Sequence, residues 1–186
     1  NYSDREGNII SKQWFDSGAD FHEGFTTVVV RDHKQGVLNK EGTLVAKGFD
    51  NVGFWHNGFA EVRMNDGTNP TNDKFNFINT EGKLISDTWF SWVGYFQEGY
   101  APVERDFRGH KKRNFIDEKG QLLLDKWPEW VSPFVNGFAQ VSNGHAYNFV
   151  NKKGKLISNT WFEEAGNFIL RKDSMLTASV TIGDDY

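Results

Sequence analysis

The chain has 186 residues and a formal net charge of −4, with 21 Lys and Arg against 25 Asp and Glu. That balance argues against a surface dominated by phosphate contacts, so no nucleic-acid partner is expected. The absence of cysteine removes disulfides, thiolate nucleophiles and Cys-based zinc sites together.

No apolar run reaches the length of a membrane-crossing helix, and no membrane insertion is expected. Aromatic residues are 16% of the chain, with 17 Phe and 7 Trp beside 4 Pro and 2 Met. This apolar stock suits strands better than helices. The first residue is Asn1 rather than Met, which points to a piece of a longer or processed chain and leaves the compartment open.

From the N-terminus onward, one pattern is written five times. The first copy opens with Gly7-Asn8-Ile9-Ile10, passes Trp14-Phe15 and closes on Phe21-His22-Glu23-Gly24-Phe25. The second opens with Gly42-Thr43-Leu44-Val45, passes Phe49 and closes on Trp55-His56-Asn57-Gly58-Phe59-Ala60-Glu61-Val62. The third opens with Gly82-Lys83-Leu84-Ile85, passes Trp89-Phe90 and closes on Phe96-Gln97-Glu98-Gly99-Tyr100-Ala101-Pro102-Val103. The fourth opens with Gly120-Gln121-Leu122-Leu123, passes Trp127-Pro128 and closes on Phe134-Val135-Asn136-Gly137-Phe138-Ala139-Gln140-Val141. The fifth has Gly154-Lys155-Leu156-Ile157, Trp161-Phe162 and Phe168, with Arg171 where the closing Gly would fall.

The two glycines of a copy are 17 residues apart in copies one, three and four, and 16 apart in copy two. Spacing from the second glycine to the next copy varies, so the constant half is the packed half and the variable half holds a loop. That loop lies between the Ala-x-Val run and a short apolar segment (Val37-Leu38, Phe77-Ile78, Phe115-Ile116, Phe149-Val150), which reads as a β-hairpin. Its tips are residues 31–36, 64–74, 105–112 and 142–146. Asx-containing turns such as Asn79 to Gly82 then lead into strands of the Leu84-Ile85 type, giving a three-strand meander. The following Trp-Phe…Val-Gly stretch reads as a bridge to the next unit.

The column Phe21, Trp55, Phe96, Phe134 and Phe168 is expected to form a continuous aromatic spine, each ring contributing about 1.5–3 kcal/mol on burial. A period of this size means a stacked array, because one unit cannot bury its own apolar face. The expected fold is all-β: a single domain over 1–186 with units at about 4–39, 40–79, 80–117, 118–151 and a degenerate 152–186. An open solenoid-like stack is favoured, with a closed five-bladed propeller as the alternative. The run from Leu176 to Ile182 would serve as a cap or a closing strand.

The pattern Asn-Phe-Ile-Asn/Asp-x-x-Gly-Lys-Leu-Ile, then Trp-Phe and Phe-x-x-Gly-Phe-Ala-x-Val, resembles bacterial WG-repeat proteins from Gly7 to about Phe168. The Trp-Gly dipeptide of that family is replaced by Gln35-Gly36 and by Asn76, Asn114 and Asn148, which marks a variant branch. The resemblance implies a non-catalytic tandem β-repeat module and supplies no catalytic residue.

Histidines fall after the aromatic slot (His22, His56) and in hairpin tips (His33, His110, His145), with Asp32, Asp66 and Asp106 also in tips. No fixed spacing makes them a metal motif, and no metal or cofactor is expected. Asp16, Asp50, Glu129 and Glu163 share one column, with Ser91 in the third copy; a polar column repeated in every copy fits a structural task better than a single acid–base pair. No P-loop, dinucleotide fingerprint or nucleophile elbow occurs, and no enzyme is expected.

Two features are asymmetric. The tip from Arg105 to Arg113 is basic around Phe107, with Arg105, Arg108, His110, Lys111 and Arg113 as candidate contacts for an acidic partner or a phosphate. Trp92 and Trp130 occupy a column that holds Ser17, Asn51 and Glu164 elsewhere, so both indoles are expected at the surface as a binding platform. A protein partner is the favoured reading and a glycan or cell-wall polymer the alternative.

Overall fold

The computed structural model describes residues 1–65, 67, 72–166, 168–170 and 176–182. Asp66 and Arg171, both singled out in the sequence, lie outside the described residues. The chain forms two compact units, Asn1–Ser91 and Trp92–Tyr186.

In the first unit, β1 (Ser17–Gly18), β2 (Phe25–Val29), β3 (Gln35–Asn39) and β4 (Leu44–Phe49) form an antiparallel sheet in that order. A second sheet holds β5 (Asn51–His56), β6 (Phe59–Met64) and β7 (Lys74–Asn79). Bridges from Ile78 to Leu84 and from Phe75 to Phe90 add a fourth edge to it.

The second unit repeats this with β8 (Trp92–Val93), β9 (Tyr100–Phe107) and β10 (His110–Asp117), then β11 (Trp130–Val131), β12 (Phe138–Ser142) and β13 (Tyr147–Asn151). Their fourth edges come from the bridges Ile116–Leu122, Val150–Leu156 and Tyr147–Phe162. β14 (Glu164–Ala165) pairs with β17 (Val180–Thr181), and β15 (Ile169–Leu170) with β16 (Leu176–Thr177). The fold is all-β, and each sheet is a linear antiparallel meander that does not close on itself.

The expected three-strand meander therefore gains a member. The stretch read as a bridge after Trp-Phe is the first strand of the next sheet (β1, β5, β8, β11). Its short length follows from the small residue beside the aromatic slot, where the chain bends inward after only two paired residues in three of the four sheets.

Alternation then decides burial. In β6, Ala60 and Val62 are fully buried while the alternate residues Glu61 and Arg63 are not. Each unit has its own core cluster: Val37, Val52, Trp55, Ala60, Val62 and Ile78 in the first, and Phe115, Val131, Phe134, Ala139, Val141 and Val150 in the second.

Trp55, Phe96 and Phe134 are buried as expected, whereas Phe21 is 38% exposed. Trp55, Phe134 and Phe168 pack on rings outside the slot column rather than on one another as a spine. Trp55 stacks on Phe25 at 4.1 Å, Phe134 packs against Tyr100 and Phe115, and Phe168 against Phe138 and Phe149. Trp55, Phe134 and Phe168 thus each meet the ring that follows the second glycine of the preceding copy within the same unit. Phe21 instead meets Tyr2 edge-on at 5.3 Å.

The family's Gly column behaves in two ways. Asn76, Asn114 and Asn148 are fully buried. Asn76 Nδ2 donates to the Ser86 and Thr88 carbonyls, Asn114 Nδ2 to that of Leu124, and Asn148 Nδ2 to those of Ser158 and Thr160, at 2.7–3.2 Å. Asn1 falls in the same column and donates to the Ser11 carbonyl at 2.9 Å, so the N-terminal residues carry the same clamp.

A second device joins adjacent sheets within a unit. Glu98 accepts the backbone N–H groups of Asn136 and Gly137 at 2.7 and 2.9 Å and pairs with Lys152 at 3.1 Å. Glu23 does the same for Asn57 and Gly58 at 3.3 and 3.1 Å.

Candidate functional site

β9 and β10, at eight residues each, are the longest strands among the described residues. β8 pairs only with Val103 and Glu104, so the pairs Arg105–Lys112, Asp106–Lys111 and Phe107–His110 extend past it. Arg108 and Gly109 close the hairpin with φ of 60° and 90°, the two-residue turn whose twist suits paired strands. The Gly109 N–H donates to Asp106 Oδ1, which holds the turn.

Strand alternation divides the candidate residues between two faces. On one, the register lines up Trp92, Glu104 and Arg113 across three strands. The Arg113 guanidinium lies 4.8 Å from the Trp92 ring centroid and its Nε donates to Glu104 Oε2 at 3.2 Å. Lys111 Nζ is 3.5 Å from Glu104 Oε1. Trp92 is 38% exposed, and the Arg113 guanidinium rests on its ring.

On the other face, Arg105 stands 5.5 Å over Trp127, and Phe107 meets the same indole edge-on at 5.6 Å. Lys112 pairs with Glu129 at 2.9 Å. Trp127 also lines a cleft of about 400 Å³ with Pro128, Val150, Leu156 and Trp161. Phe107, Arg108 and His110 are exposed at the apex.

The structure thus joins Arg105 and Phe107 through Trp127, and Trp92, Lys111 and Arg113 through Glu104. Trp130, on β11 opposite Ser142, is exposed at its own position and makes no ring contact with Trp92. Cationic groups beside half-covered aromatic rings can hold carboxylates while an apolar side chain enters the cleft.

Among the described residues no three His, Asp or Glu side chains converge as metal ligands would. The backbone N–H groups of Asp16, Asp50, Glu129 and Glu163 each donate to the facing strand, so those four residues each lead into a strand. Asp50 additionally accepts from Lys34 and from the Asn65 N–H. The hydrogen bond from Lys34, helped by that amide, holds its carboxyl below the usual range.

Sequence reasoning missed a cleft of about 760 Å³ in the first unit, between β1–β3 and β5. Phe54, which lines it, is 84% exposed. The signal was present: Phe54 shares its column with Asp20, Tyr95 and Pro133, and polar alternatives mark an exposed position as they did for Trp92.

Antiparallel sheets repeated in sequence, with side-chain variety gathered in the hairpins, define an all-β repeat module. Residues 36–67, 77–106 and 115–144 match the family of the WG containing repeat, and the chain is a WG-repeat protein.

Two solved structures show weak likenesses. The computationally designed Ika8 protein has 11% identity and a TM-score of 0.41, over 94% of this chain and 62% of that one. BamB from Moraxella catarrhalis has 10% identity and a TM-score of 0.36, over 88% of this chain and 63% of that one. The chain therefore spans less than two thirds of either. No curated protein matches its sequence.

Proposed function

We propose that this chain is a non-catalytic interaction module that holds an acidic protein segment along the β9–β10 hairpin. The observation that carries the reading is the projection of that hairpin beyond β8, with Arg105 and Phe107 packed on Trp127 at the mouth of a cleft. Loops on a rigid repeat scaffold are where recognition is placed. Partner carboxylates meet Arg105, Arg108, Lys111 and the outer edge of Arg113, while one apolar side chain enters beside Trp127 and Trp161. Exposed Trp130 adds an aromatic contact on the neighbouring sheet.

The test combines Phe107→Ala with Arg108→Asn, because Asn tolerates the left-handed turn position. Capture of the partner from an extract of the source cells is expected to fall at least about tenfold, as for loss of an aromatic and Arg anchor. Capture by the wild type is expected to weaken as salt rises, and the melting temperature to stay within about 2 °C, as for surface changes. Unchanged capture by the double variant would remove this hairpin as the binding surface.

A further inference from the structure

We infer that the 760 Å³ cleft of the first unit is a second, independent binding site, and that its ligand is a neutral pyranose oligosaccharide. Its existence follows from a substitution between copies. Across β1–β3 the register places Ser17, Thr27 and Gln35 where β8–β10 have Trp92, Pro102 and Arg113. In the second unit those larger side chains fill the space over the small slot. Atoms of Pro102 and Trp92 lie 2.7 and 3.1 Å from where a Cβ on Gly94 would stand. The counterpart of Gly94 in the first sheet is Ala19, opposite Thr27, and on the facing strand Gly53, which also lines the cleft, meets nothing nearer than Glu61 at 3.4 Å. Thr27 and Gln35, uncharged and standing where the second unit has Pro102 and Arg113, line this cleft.

The slot ring at this place is also different. Phe21, Phe96, Phe134 and Phe168 hold the column elsewhere, and Trp55 alone brings an N–H into it. Trp55 is 3% exposed, and its Nε1 is buried with no acceptor among the described residues. A buried donor left dry is unfavourable, and a phenyl ring would have avoided the cost. A ligand oxygen reaching Trp55 from the cleft removes it.

Ligand class follows from the rest of the lining. There is no Lys or Arg, so a phosphate or carboxylate ligand would find no fixed cation. A purely apolar ligand would strip water from the polar side chains of Asp20, His22 and Asn51. A sugar ring satisfies both demands. Its C–H face rests on the exposed Phe54 ring, and its hydroxyls reach Asp20, Asn51 and the indole N–H. The volume lies within the range of small-ligand sites.

The experiment titrates the whole chain with cellohexaose and, separately, chitohexaose, following the indole N–H resonances by NMR, with Trp55→Phe used to assign Trp55. One of the two sugars is expected to move the Trp55 N–H. Phe54→Ala is expected to weaken that binding at least tenfold. Ser17→Trp, which copies the filled arrangement of β8, is expected to abolish it while the other six indole signals hold their positions. No shift of the Trp55 resonance with either sugar overturns the inference, as does a shift confined to Trp92 or Trp130. Because the hairpin residues are untouched, these outcomes are separate from those of the acidic-partner test.

Discussion

Glycine alone separates two kinds of position that look identical in the sequence. Gly137 and Gly154 both have positive φ, 84° and 72°. A Cβ on Gly137 would meet nothing within 4 Å, whereas one on Gly154 would stand 2.7 Å from the Leu123 carbonyl of the preceding copy. Backbone strain is therefore common to both, and the collision belongs to one. Gly137→Ala is expected to cost about 1 kcal/mol and Gly154→Ala about 2–4 kcal/mol, with thermal unfolding as the measurement. Equal losses would mean that φ alone sets both.

The turn role of these glycines was legible from Asx and Gly spacing. Asn151 Oδ1, for instance, accepts the Lys153 and Lys155 N–H groups at 2.9 and 3.1 Å. Which glycine abuts a neighbouring copy was not, because that contact joins residues some thirty positions apart, and spacing within one copy carries no trace of it.

The spacing of 16 in the second copy, against 17 in the others, acquires a cause at the level of the strand. Between the pairings Leu38–Leu44 and Gln35–Phe49, four residues run as the continuous strand β4 beside Gly36. In the equivalent span from Leu84 to Phe90, five residues must fit between the bridges Ile78–Leu84 and Phe75–Phe90. The extra residue lifts the strap off the ladder and frees its carbonyls, and the Asn76 side chain reaches out to them.

Gly36 has no room for such a side chain, since a Cβ there would meet the Ala46 carbonyl at 2.7 Å. Glycine with the short strap and asparagine with the long one are thus one choice made twice. Asn114→Ala, which strands the half-buried Leu124 carbonyl and the Leu124 N–H donated to Asn114 at 3.0 Å, is expected to cost about 1–3 kcal/mol. Gly36→Asn is expected to destabilise alone and to be largely rescued by inserting one residue between Lys47 and Gly48. Denaturant midpoints of the single and combined variants measure this, and an insertion that only adds to the damage would separate strap length from the Asn clamp. Both facts were visible in the sequence, the departure from Trp-Gly and the odd spacing, but nothing linear connects them; the link is a hydrogen bond across ten residues.

For the molecule as a whole, sheets within each compact unit are tied by a carboxylate placed on the next turn. The all-β repeat fold was legible from periodicity because each copy repeats the same alternation of apolar residues. The basic hairpin was legible from its charge. The first-unit cleft was not, since it consists of side chains smaller than their counterparts, and an absence of bulk shows only when copies are superposed in register.

The clasp in the second unit makes a prediction about acid. Burial pushes the Glu98 carboxyl up, but the Lys152 ammonium and the Gly137 and Asn136 amides outweigh it and leave the group below its ordinary value of 4.5. A carboxylate depressed in the folded chain binds protons more readily once unfolded, so its stabilisation is present above that ordinary value and is lost as pH falls through the folded one. Glu98→Gln keeps one acceptor oxygen and loses the charge. With the side chain 31% exposed, the expected cost at pH 7 is about 1–2 kcal/mol, at the low end for charged hydrogen bonds. The gap in melting temperature between wild type and Glu98→Gln is expected to be widest near neutrality and to close as pH falls below the ordinary value of 4.5 and through the depressed folded one. A gap that holds its size from neutral to acid pH would show that the clasp acts through shape rather than charge.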